Sequence, residues 1–104
     1  MKKAFKENLL AKRDAKAKPH LEQYAPVWLV DEKIIQEDEA VQFEIVFQYN
    51  PSTWVRRRYR FDGFNYVLYH LGQTVISEEE ILKVQEKEPY FAALVTDIPN
   101  AYGG

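Results

Sequence analysis

Trp54, Arg56, Arg58 and Arg60 stand at alternate positions of one segment, and their types suit the gripping of anions. Alternate residues of a strand share a face, so this spacing sets three guanidinium groups beside an indole. Guanidinium groups hold phosphate or carboxylate oxygens in pairs, and an exposed ring stacks on a nucleobase. The chemistry such a face supports is binding of a single-stranded nucleic acid or another anionic ligand. The competing arrangement is internal: the arginines pair with the chain's own acids and the N-terminal helix covers Trp54.

Tyr66, Tyr69 and His70 form a second constellation, two phenols and an imidazole in one short stretch. With nearby carboxylates they would line the pocket of a small enzyme, which requires a concave surface beside His70. The other histidine, His20, follows Lys18-Pro19 and reads as solvated. Two isolated histidines without a spaced carboxylate, in a chain with no cysteine, make no metal motif. No metal or cofactor is expected. Ser52 falls in a turn and Ser77 at a helix cap, so neither reads as a nucleophile. No glycine-rich phosphate loop and no G-x-S-x-G elbow occurs. With 16 acidic residues some pair of carboxylates must lie close, but solvated surface acids are the ordinary outcome. The chain therefore reads as non-catalytic.

The formal charge of −2 conceals strong segregation. Residues 1–18 carry seven basic groups against Glu7 and Asp14, a net of +5. Residues 31–44 carry six acids against Lys33, a net of −5. Arg56, Arg57, Arg58 and Arg60 then give +4, and residues 78–88, with five glutamates and two lysines, give −3. Such blocks can pair within one fold or between two copies of the chain.

Several elements must position these side chains. Residues 2–17 are mostly good helix formers, and Pro19 predicts a stop. The stripe of Phe5 and Leu9 runs on into Lys12 and Lys16, so this helix lies on the domain surface, protrudes, or packs against a second copy. Residues 27–30 read as a short strand and 36–39 as a turn. Val41, Phe43, Ile45, Phe47 and Tyr49 alternate with more polar neighbours, the period of a half-buried strand. Thr53 to Phe61 alternates again, with Arg57 out of place on its apolar face. A turn at Asn50-Pro51-Ser52 then predicts a hairpin with Tyr49 opposite Thr53, Glu44 opposite Arg58 and Gln42 opposite Arg60.

Residues 64–71 fit either a fourth strand or a helix capped by Asp62 and stopped by Gly72. The apolar spacing of Phe64, Val67, Leu68 and Leu71 favours the helix. Ser77 with Glu80 forms a capping box that opens a helix over 78–88, ended by Pro89. Residues 90–95 read as a last extended segment.

The 104 residues, 46% hydrophobic and 29% charged, exclude disordered and fibrous classes and leave room for one domain. The expected fold class is α+β. It has an N-terminal helix, an antiparallel meander sheet of three strands with a possible fourth, and one or two C-terminal helices packed on one face. Residues 1–18 form a basic helix, as an integral or an appended element; 19–96 form one α+β domain, and 97–104 a tail. Double-stranded-RNA-binding domains share the order helix, three strands, helix. Their last helix is basic, whereas this one opens Glu78-Glu79-Glu80, which argues against duplex RNA. No apolar run approaches the roughly 18 residues of a membrane span. Leu9-Leu10-Ala11 is too short for an export signal, so the cytoplasm is the expected location. The leading functional expectation is a small interaction module that binds a protein partner or itself. The alternative is the anionic-ligand face at Trp54, and the third is an enzyme pocket near His70.

Overall fold

The computed structural model describes residues 3–90. The segment expected at 91–95 and the tail at 97–104 lie outside these residues. Strict alternation in the middle of the chain produces a four-stranded antiparallel meander. Its strands are β1 (Trp28–Ile35), β2 (Ala40–Asn50), β3 (Thr53–Asp62) and β4 (Val67–Val75), in spatial order β1-β2-β3-β4. Helix α1 (Lys3–Leu21) precedes the sheet and helix α2 (Glu78–Val84) follows it. The class is α+β, with the fourth strand present.

Within the β2–β3 hairpin Glu44 faces Arg58 and Gln42 faces Arg60, as the alternation predicts. Tyr49 does not face Thr53. The register shifts after Gln48, and Asn50 stands opposite Thr53. The Asn50 carboxamide oxygen accepts bonds from the Ser52 amide at 3.0 Å and hydroxyl at 3.1 Å. This side-chain turn tightens the loop to Pro51-Ser52 and leaves Tyr49 as the extra residue.

The helix favoured over 64–71 is not formed. Asp62 does accept from the amides of Phe64 and Asn65, at 2.9 and 3.0 Å, but the chain turns instead of coiling. Tyr66 takes a left-handed conformation with φ 59°, and β4 then pairs with β3 from Asp62 back to Val55. The helical spacing of Val67, Leu68 and Leu71 misleads because β4 is an outer strand whose side chains are all at least partly exposed. Only one of its faces meets a core, so its alternation is blurred.

Helix α1 runs past Pro19 to Leu21. Leu21 is wholly buried, and this anchorage holds the last turn although proline removes one backbone hydrogen bond. The buried stripe of the helix is Leu9, Arg13, Ala17 and Leu21, spaced by four. It packs on the odd-numbered face of β2 and β3, with Val41, Phe43, Ile45, Phe47, Val55, Tyr59 and Phe61. The arginine in that stripe is what makes the helix look poorly amphipathic. Its guanidinium donates to Asp14 at 2.7 Å and Glu32 at 2.6 Å and lies 4.7 Å from the centre of the Phe43 ring. Burial disfavours its charge, yet the two carboxylates outweigh that effect and raise its pKa further.

The two helices occupy opposite faces of the sheet. Val84 of α2 and Ile76 before it pack with Trp28, Val46, Val30 and Trp54 on the even face. Ser77 caps α2 by accepting from the Glu80 amide at 3.3 Å. The helix ends at Val84, four residues short of Glu88. Beyond it the chain winds into tighter turns, and the Lys87 carbonyl accepts from the Trp28 indole at 2.9 Å. Among the described residues no helix is long and apolar enough to cross a membrane.

Candidate functional site

Strand β3 sets Trp54, Arg56, Arg58 and Arg60 on its even face, opposite the α1 core. Acidic residues of the fold occupy much of that face. Arg56 is ion-paired with Glu80 of α2 and lies 3.6 Å from Glu44. Glu44 thus reaches diagonally along the sheet and not straight across to Arg58. Arg60 donates to Asp38 of the β1–β2 turn at 3.0 Å. Trp54 is half buried, its ring 5.7 Å from that of Trp28. It packs with Trp28, Val46 and Val84, the last residue of α2, and not with the N-terminal helix. Arg58 is the exposed member, and its guanidinium lies over Gly72, where a Cβ would come within 3.5 Å. The four residues share a face, but most of their charge is matched internally.

The odd face answers the question raised by Arg57. The residue is 8% exposed; its guanidinium lies 4.9 to 5.9 Å from the ring centres of Phe47, Tyr24 and Tyr59 and donates to Gln73 at 2.8 Å and to the Tyr59 hydroxyl at 2.9 Å. The hydroxyl stands 2.9 Å from His20 Nε2. Tyr59 accepts from Arg57, which leaves its own proton available to His20 Nε2 when that nitrogen carries none. The electrostatics favour the uncharged ring. Burial, and then the charges of Arg57 and His70, lower the His20 pKa. Burial likewise raises the Tyr59 pKa, against the opposing pull of Arg57. The result is a polarised relay from Arg57 through Tyr59 to His20.

The relay opens into a cleft between α1 and β4 of about 520 Å³, lined by Ala15, Lys16, Pro19, His20, Tyr59, Tyr66, Leu68 and His70. The rings of His20 and His70 lie 5.7 and 5.6 Å from that of Tyr59. Of the sequence candidates, Tyr66 and His70 meet here. Tyr69 does not, because it faces Arg60 on the other side of the sheet. The carboxylates expected beside His70 are missing from the lining, which carries Lys16 and two histidines. Sequence reasoning missed His20 and Tyr59. The available signal was Arg57, since an arginine on an apolar face calls for buried acceptors and Tyr59 is the next residue on that face.

A third feature is the outer edge of β4, which pairs with no other strand among the described residues. This strand contains no Lys, Arg, Asp, Glu or Pro, and Tyr69, Leu71 and Val75 are exposed on it. The opposite edge, β1, carries Asp31, Glu32 and Lys33 and is interrupted by a register shift at Val30. Charge and irregularity keep sheet edges from pairing with other chains. β4 carries only the irregularity, a shift placed at Leu71.

Comparison of the chain with protein-family models, curated proteins and solved structures gives no match. The functional reading therefore rests on the α+β fold and on these three surfaces.

Proposed function

We propose that this protein is a self-associating, non-catalytic module that pairs the outer strand β4 with β4 of a second copy. The observation that carries the reading is the nine-residue edge strand without a formal charge. Its even face up to the register shift presents Val67, Tyr69 and Leu71, as the pairing of Val67 with Asp62 and of Tyr69 with Arg60 shows. Leu71 lines a hollow with Arg58, Glu44 and Gln42, which places it on the same face. An antiparallel twofold pairing centred on Tyr69 sets the two Tyr69 rings side by side. It also sets Val67 opposite Leu71 of the second copy. The stripe is thus self-complementary, as a twofold interface requires. Backbone hydrogen bonds would join the sheets into one of eight strands.

Sedimentation equilibrium over a range of concentrations tests the reading. A dimer is expected for the natural chain and a monomer for Leu71→Lys and Tyr69→Lys, both exposed positions that leave the core intact. A natural chain that stays monomeric at its highest soluble concentration overturns the reading. So does a dimer that survives both substitutions.

A further inference from the structure

We infer that the cleft between α1 and β4 is a binding site for a small organic monocarboxylate with an apolar body. Three observations carry this, none of them drawn from the sheet edge. The cleft, at about 520 Å³, falls within the roughly 300–1,000 Å³ range of small-molecule sites. Its polar groups can all donate hydrogen bonds: Lys16, His20 and His70 line it together with the phenols of Tyr59 and Tyr66, and no acid among the described residues does. Arg57 stands directly behind Tyr59 and is bound to its hydroxyl. A cation placed here would meet Lys16, with Arg57 behind, and no acid among the described residues.

The rest of the lining sets the ligand's body. Ala15, Pro19, Leu68 and the faces of the tyrosine rings form an apolar wall. Lys16 Nζ rests 4.9 Å from the centre of the Tyr66 ring and is bound to no acid among the described residues, so it can swing to a ligand without breaking an ion pair. The Lys16 ammonium, with the ring nitrogens of His20 and His70 beside it, suits a monoanion. An aromatic acid would set its ring against Tyr66 and Leu68 and its carboxylate between Lys16, His20 and His70. The carboxylate would favour the charged form of His20, against the burial and the charges of Arg57 and His70 that lower its pKa.

Titration of the full chain with phenylacetate, followed by the histidine ring signals in NMR spectra, tests the inference; neutral phenylacetamide is the control. Saturable shifts at both His20 and His70 are expected with the acid and not with the amide. Lys16→Gln and His70→Gln, at solvent-reached positions, should each weaken binding by about tenfold, the value of one charge-assisted hydrogen bond. Their amide spectra should match that of the natural chain elsewhere. No saturable shift, equal binding of acid and amide, or binding unchanged in both variants each overturns the inference.

Discussion

Replacing Arg13 separates two ways in which a buried arginine can hold a helix to a sheet. The residue is 1% exposed and sits in the middle of the α1 stripe. Its guanidinium binds Asp14 and Glu32, whose side chains keep 37% and 29% exposure, and it lies on the Phe43 ring. Arg13→Ala removes the ion pairs and the packed stem together. Breaking a buried pair costs about 3–5 kcal/mol. The two carboxylates can still reach water, so the lower end applies, about 3–4 kcal/mol with the lost packing included. Arg13→Met keeps the stem against Phe43 and leaves only the carboxylates to rehydrate, for about 1–2 kcal/mol. Small domains have only about 5–15 kcal/mol in total. At about 4–5 °C per kcal/mol, the alanine variant should melt roughly 12–20 °C below the natural chain. Urea unfolding followed by circular dichroism and by Trp28 and Trp54 fluorescence gives both free energies. The tryptophans lie on the face away from α1 and report whether unfolding is concerted. Methionine as costly as alanine would refute the role of the stem; alanine costing less than about 1 kcal/mol would refute the anchor itself.

Three further outcomes follow from the same geometry. In Gly63→Ala the new Cβ would meet Leu9 Cδ1 at 2.6 Å and the Glu39 carbonyl at 2.8 Å. A loss of about 1–3 kcal/mol is expected in the urea midpoint, and an unchanged midpoint contradicts the close approach. The depressed His20 pKa means that the folded chain binds fewer protons than the unfolded one just below the ordinary value of about 6.5. The stability tied to it is complete above that value and lost as pH falls through the folded one. The melting temperature should therefore drop less steeply in that window for His20→Gln than for the natural chain, and parallel curves would exclude this account. Trp28→Phe loses the indole bond to the Lys87 carbonyl but keeps most of the ring packing, at a cost of about 1 kcal/mol or slightly more; calorimetry showing no change would remove the indole from the account of how the chain after α2 is held.

What could be read from the sequence was what local periodicity controls. β2 and β3 each bury one face and expose much of the other, so they alternate cleanly, and their register follows from the turn between them. β4 borders the sheet, and its apolar spacing mimicked a helix because no second neighbour among the described residues enforces alternation. α1 hid its stripe behind Arg13, whose counter-charge on Glu32 lies 19 positions away. The arginine face around Trp54 was visible as a face, but its neutralisation depends on Asp38 and Glu80, which only the fold brings near. In the cleft, Tyr66 and His70 were visible as neighbours in sequence. Tyr59 lies 39 positions from His20, a distance no local pattern spans.

The way α1 is held has a consequence for synthesis. Its contacts are with Glu32 on β1, Phe43 on β2, Tyr59 on β3 and Tyr66 at the threshold of β4. A growing chain emerges with α1 ahead of all of these. The helix has no self-sufficient apolar stripe with which to settle early, so it must wait, with Leu9 and Leu21 uncovered, until the meander behind it is nearly complete. Closure of the core is thereby tied to the arrival of β2 and β3, whose odd faces carry the residues packed on the α1 stripe, and a chain halted before β3 leaves the exit tunnel with its first helix unsheltered.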